Sequence, residues 1–155
     1  MLTTIPDNFI YFGLFLTDES REKLINFVQD NLKNTINKAD KIYLEHITLL
    51  HKNDKHQFRF KFQMYCLLNY MFENFIGETY EVQITHIGFN DKAFAFKVEL
   101  PEGFPMFQYK TYHITIGTFH RARPFESNTI ISWHKLYEPI TVTTILKKVI
   151  RDENF

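Results

Sequence analysis

A single cysteine, Cys66, stands in 155 residues, which excludes an internal disulfide and suits a reducing compartment. Lysine and arginine together number 18, and so do aspartate and glutamate. With no net charge there is no global basic field for long nucleic acid, and a small or terminal phosphate is a more natural target than a duplex. No apolar run approaches about 18 residues, and the N-terminus has no signal-peptide pattern. The expectation is a soluble intracellular protein, cytoplasmic or nuclear, that does not enter a membrane. There is no His-Glu-x-x-His, and the lone cysteine rules out a cysteine-rich zinc cluster, so no metal or other cofactor is expected. No linker, low-complexity tract or composition shift divides the chain. Residues 1–155 are expected to form one domain.

Aromatic side chains are plentiful: 17 Phe and 8 Tyr, with 1 Trp. They imply a core built largely from rings. Tyr11, Tyr43 and Phe119 are candidates to stack on a base, although in so ring-rich a chain core packing is the commoner fate. Cys66 falls among the aromatic residues and reads as buried rather than nucleophilic.

The run Phe9 to Leu16 predicts a strand buried on both faces. Thr17 or Asp18 then caps a helix whose apolar stripe is Leu24, Ile25, Val28 and Leu32. Residues 34–40 read as a loop and 42–50 as a strand, followed by a charged connection over 51–57. Residues 58–76 carry mixed periodicity and are read as a helix stopped at Gly77. Strands then alternate through Tyr80, Val82 and Ile84 and through Phe94, Phe96 and Val98, joined at Asn90-Asp91. A strand over 109–118 follows, then a basic loop His120 to Arg123, a short helix from Ser127 or Asn128 through Leu136, and a last strand over 140–150. Hairpins mixed with helices imply an α+β layer arrangement.

Two segments repeat one pattern. His46-Ile47-Thr48-Leu49 and His113-Ile114-Thr115-Ile116 lie 67 positions apart. A bare His-x-Thr arises by chance about 0.6 times in a chain with this many His and Thr, so two bare matches carry little. The shared Ile, the apolar successor and the strand-like surroundings carry more. In a strand, His and Thr two apart share one face while Ile47 and Leu49, or Ile114 and Ile116, face a core. Two such strands facing across a cleft would gather two imidazoles and two hydroxyls around one small anion.

These residues resemble the 2H phosphoesterases, and more closely the cyclic phosphodiesterase domain of fungal-type tRNA ligases. The first motif extends as His46-Ile-Thr48-Leu-Leu-His51-Lys52. The second runs on as His113-Ile-Thr115-Ile-Gly117-Thr118 and then Pro124-Phe-Glu126-Ser127-Asn128. The resemblance implies a two-lobed α+β fold, with antiparallel sheets facing across a central cleft and helices outside. It also implies metal-independent hydrolysis of an RNA 2′,3′-cyclic phosphate to a 2′-phosphate in tRNA splicing or RNA repair. By that analogy His113 is the general base and His46 the general acid, and Thr48 and Thr115 donate to the non-bridging oxygens. Lys52 and Arg121 are candidates to bind substrate, within a rim that also holds His51, His120 and Arg123.

His86 and His134 read as structural or surface residues. Neither a nucleotidyl-transfer lysine motif nor a Walker loop is present. The chain is therefore expected to act as a monomer on RNA 3′ ends, beside a separate ligase and kinase, or to be a fragment of a larger ligase. Two alternatives stand beside this reading. One is a 2H phosphodiesterase acting on 2′,5′-oligoadenylate or cyclic nucleotide signals; the other is a silent RNA-binding module.

Overall fold

The computed structural model of the protein describes residues 8–54, 62–107 and 110–151. Strand β1 (Phe9–Leu16) leads into helix α1 (Asp18–Asn31), and a short helix α2 (Lys33–Lys38) precedes β2 (Lys41–Ile42) and β3 (His46–His51). Helix α3 (Phe62–Phe75), β4 (Thr79–Phe89), β5 (Ala93–Glu99) and β6 (His113–Thr118) follow. A 3-10 helix (Pro124–Thr129) and the long strand β7 (Trp133–Ile150) complete the order.

The protein is α+β, and its sheet closes on itself. Strand order is β2-β6-β3-β1-β7-β4-β5, and β5 pairs back onto β6, every pairing being antiparallel. Among the described residues this closure gives each strand of the ring from β6 round to β5 a partner on both sides. The motif strands do not stand on two sheets facing across a gap, as the resemblance implied. They are neighbours in one ring. Phe12, Leu14, Ile47, Ile84, Phe94, Phe96, Ile114 and Leu146 are fully buried and form its packed centre.

Thr17 is the α1 cap, accepting from the Ser20 backbone N at 3.3 Å, and Leu24 and Val28 are buried on the predicted stripe. Helix α3 buries Tyr65, Cys66, Leu68 and Phe72. Burial also pushes the Cys66 thiol above its ordinary pKa. Gly77, at φ 90, ends the run as a glycine stop signal should. The predicted start of that helix, including Phe58 and Phe60, lies outside the described residues, as does the predicted start of the second motif strand at residue 109. No helix among the described residues is long and apolar enough to cross a membrane.

Three expectations are corrected. Residues 34–40 are not all loop, because Lys33–Lys38 is helical; with no residue of this helix buried, no apolar stripe announces it. The strand over 42–50 is broken, because Leu44 takes φ 49 while wholly buried. The helix expected through Leu136 ends at Thr129, and Trp133 already begins β7. There the register steps from Ile84↔Ile140 to His86↔Lys135. This irregularity takes up residues 136–139, including Pro139, which has no N–H to give a ladder.

Candidate active site

Strands β3 and β6 meet at the pair Ile47↔Ile114. In an antiparallel ladder this sets His46 across from Thr115 and Thr48 across from His113. Each imidazole therefore neighbours the hydroxyl of the other motif. Ile47, Leu49, Ile114 and Ile116 are buried at 1% exposure or less, and the four polar residues are half-buried on the other face. Beyond this bridge β6 turns to β2 instead, with Ile42 opposite Gly117. The Tyr43 and Leu44 N–H groups donate to the carbonyls of Ile116 and Thr115. Arg21 of α1 holds this entry segment: its Nε donates to the Leu44 carbonyl and one Nη to that of Tyr43, each at 3.0 Å.

The four motif side chains line one cavity of about 800 Å3. On the side reached from the end of β3 it is walled by His51, Asn53, Asp54, Lys110 and Thr111. On another it is walled by Phe125, Ser127, Asn128, Ile130 and Trp133, and Tyr43 and Glu45 also line it. Among the described residues no group of three or more His, Cys, Asp or Glu is placed to hold a metal ion.

His46 sits in an aromatic slot. Its ring stacks on Tyr11 with centroids 5.0 Å apart and on Phe15 at 4.9 Å. Between these two β1 residues lies Gly13, opposite Thr48. A Cβ there would come within 3.1 Å of the Ile47 carbonyl oxygen and 3.2 Å of each ring. Lys147 caps the outer ring, 5.5 Å from the Phe15 centroid. Burial lowers the His46 pKa to about 4, because desolvation disfavours the imidazolium. Its Nδ1 is buried with no hydrogen-bond partner among the described residues.

His113 is held differently. Its Nδ1 lies 3.4 Å from the Thr111 carbonyl oxygen. A carbonyl can only accept, so that contact places the proton on Nδ1 and leaves Nε2 basic. Burial lowers the His113 pKa and the Thr111 carbonyl partly opposes this; Lys110 and His46 lower it further. The two imidazoles thus feel one another, and a proton taken up by one disfavours a proton on the other.

Thr115 meets the residue that the Glu-Ser-Asn motif supplies. Its Oγ1 is 2.9 Å from Ser127 Oγ and 3.5 Å from the Pro124 carbonyl oxygen. Ser127 does not cap its helix, which begins at Pro124 after an Arg123 cap without a side-chain bond. Instead Ser127 is buried at 1% exposure against Thr115.

His51 reaches the cavity by a bulge. The register steps from Gly13↔Thr48 to Phe12↔Leu50, so β3 carries an extra residue at Leu49. Strict alternation from His46 would send His51 to the opposite face; the bulge returns it to the His46 side. There Tyr11 stacks on it at 6.4 Å. His51 Nδ1 accepts from Asn53 N–H at 3.1 Å. Asp54, 6% exposed, accepts from His51 N–H at 2.9 Å and pairs with Lys110 at 3.4 Å.

The cations arrive from elsewhere than expected. Lys52 and Arg121 are exposed and do not line the cavity. The Lys52 N–H donates to the Ile10 carbonyl, and Arg121 takes φ 59 while its N–H donates to Asp40 Oδ2. Among the described residues the lysine or arginine that lines the cavity is Lys110. It stands 5.5 Å over the Tyr112 ring. Of the stacking candidates, Tyr43 lines the cavity, Tyr11 serves the His46 slot, and Phe119 packs on the buried Phe94 at 5.2 Å. Lys110 and Trp133 drew no notice in the sequence because each stands outside a recognisable motif.

Comparison with known proteins gives this geometry its context. A search of curated protein sequences returns no match. In a crystal structure described as a fungal RNA kinase, 46% of the chain superposes on 96% of this one with a TM-score of 0.69 at 17% identity, a likeness of fold. The present chain thus spans under half the length of that protein. The family described as the fungal tRNA ligase phosphodiesterase domain matches residues 15–154, a span containing both His-Ile-Thr strands, Ser127 and Lys110. With that match over nearly its whole length, the chain belongs to the fungal tRNA ligase phosphodiesterase domains.

Proposed function

We propose that this domain opens the 2′,3′-cyclic phosphate at an RNA 3′ end, without a metal, to leave a 2′-phosphate and a 3′-hydroxyl. The observation that carries this reading is the crosswise placement of two His-Thr pairs about the Ile47↔Ile114 bridge, inside one cavity. Water attacks phosphorus and gives its proton to His113, whose Nδ1 is engaged with Thr111 and whose Nε2 is basic. The bond from phosphorus to O3′ breaks, and His46 gives that oxygen a proton. Thr48 and Thr115 donate to the non-bridging oxygens as charge accumulates on them. The strain of a five-membered cyclic ester lowers the demand on the protein, so two positioned imidazoles suffice.

His46 is neutral at pH 7 in the open cavity, and it acquires its proton together with the anionic phosphate. An opposite charge nearby favours the imidazolium, and the flanking faces of Tyr11 and Phe15 favour it as well. Lys110 takes the role that the sequence suggested for Lys52 and Arg121, holding the phosphate at the cavity wall.

Profiling substrates tests the reading. An RNA ending in a 2′,3′-cyclic phosphate is compared with 2′,5′-linked oligoadenylate and with cyclic oligonucleotides, and the product phosphate is located by its sensitivity to a 2′-phosphate-specific transferase. Preferred opening of the 2′,3′-cyclic end to a 2′-phosphate is the expected result. Preferred cleavage of 2′,5′ linkages or cyclic signals would replace it with the signalling reading.

A further inference from the structure

The cavity has a second, apolar wall that the proton-transfer chemistry does not use. Adjacent strands align Thr115 of β6 with Ala95 of β5, Ala95 with Gly88 of β4, and Gly88 with Trp133 of β7. Cross-strand partners share a face of the sheet, so this row runs from the phosphate-facing hydroxyl to the tryptophan. The two residues between them are the small ones. At Gly88 a Cβ would lie 2.6 Å from the Trp133 ring and 2.7 Å from Ile130 Cγ2. Glycine there lets both side chains settle onto the sheet, two strand spacings, or about 10 Å, from Thr115. The 3-10 helix that places Ser127 on Thr115 also presents Phe125, 56% exposed, to the same cavity.

From this arrangement we infer that Phe125, Ile130 and Trp133 form a nucleobase subsite, seating the base of the nucleotide whose cyclic phosphate lies between the histidines. The inference rests on the phosphodiesterase reading above and adds where the substrate's uncharged part is held. Two planar rings and an aliphatic side chain line the cavity here. The neighbouring Asn128 brings an amide that can both donate and accept. A planar heterocycle with a hydrogen-bonding edge matches that chemistry, and stacking tolerates any of the four bases. The cavity volume of about 800 Å3 suits a nucleotide rather than a bare phosphate. The separation of about 10 Å between phosphate seat and ring wall suits one nucleoside.

The protein contains a single tryptophan, so base stacking can be read without turnover. Its fluorescence is titrated with a nucleoside 2′-monophosphate and with ribose 2-phosphate. In parallel, kcat/KM is compared for a nucleoside 2′,3′-cyclic phosphate and for the same cyclic ester lacking the base. The expected result is saturable quenching by the nucleotide but not by ribose 2-phosphate. The base is expected to favour kcat/KM about tenfold, a preference that collapses towards one in Phe125→Ala and in Trp133→Leu. Because Phe125 is largely exposed, its substitution leaves the test intact if Trp133→Leu folds poorly. Equal use of the base-free ester, or nucleotide binding without a fluorescence change, would overturn the subsite. Nucleotide-specific quenching with no turnover of either ester would support the subsite and refute the hydrolytic reading. Neither quenching nor turnover would overturn both.

Discussion

The hydroxyl oxygens of Ser127 and Thr115 lie 2.9 Å apart, with Ser127 buried and the Pro124 carbonyl 3.5 Å from Thr115. A hydroxyl has one proton to give. For Thr115 to donate to phosphate, it must receive from Ser127 rather than donate to it or to Pro124. On the proposed mechanism Ser127 is thus a positioning residue that turns the Thr115 proton towards the cavity. Ser127→Ala is expected to lower kcat about tenfold with little change in KM, since the lost interaction serves the transition state. Ser127→Thr restores the hydroxyl and recovers part of the loss. Steady-state kinetics on a nucleoside 2′,3′-cyclic phosphate checks this; a rise in KM alone would show that Ser127 acts on binding instead.

The pH profile follows from the histidine pair. On the proposed mechanism, catalysis needs one proton shared between His46 and His113. In the free protein His46 titrates near pH 4 and His113 below its ordinary 6.5. The bell of kcat/KM, which reports the free protein, should therefore peak below pH 6.5. Bound phosphate favours both imidazoliums, so the bell of kcat is displaced to higher pH. Measuring both profiles checks the shift, and a kcat/KM maximum above pH 7.5 would contradict it.

Burial of His46 also links stability to pH. Its folded pKa, about 4, lies below the unfolded value of 6.5. Between these values the unfolded chain binds more protons, so stability is intact above pH 6.5 and declines as pH falls towards 4. Thermal unfolding at pH 7.5 and pH 5.0 should show a smaller decrease for His46→Gln than for the parent, by about 5 °C.

Gly13 tests the aromatic slot. An added methyl group would press on the Ile47 carbonyl at 3.1 Å and on both rings that stack against His46. The rings can give way, but the carbonyl is fixed by the sheet. Gly13→Ala is expected to cost about 1 kcal/mol of stability and to reduce kcat several-fold by displacing His46. Denaturant unfolding and kinetics on the same preparation measure the two effects.

Much of this site was legible in the sequence because strand period is simple. Alternation alone placed Ile47, Leu49, Ile114 and Ile116 inside and both His-Thr pairs on the other face. What period two could not supply was the bulge at Leu49, since an extra residue leaves no compositional mark; it carries His51 into the cavity. Nor did local pattern foresee that β3 and β6 pair directly, because the pairing depends on how the whole ring closes. The helix read through Leu136 failed for a related reason. Trp133 extends because Gly88 lies opposite and accommodates its ring, a partner 45 residues away in sequence. Lys110 reaches the cavity through Asp54, and that pairing likewise spans a distance the local sequence does not encode.

The central claim is that two imidazoles open the cyclic ester by general acid–base catalysis. The most direct measurement incubates the EDTA-treated protein with a short RNA ending in a 2′,3′-cyclic phosphate, beside His46→Ala and His113→Ala. The expected result is opening to a 2′-phosphate by the parent, with each variant slower by roughly 10²-fold or more. No opening by the parent, or opening at the parental rate in either variant, would contradict it.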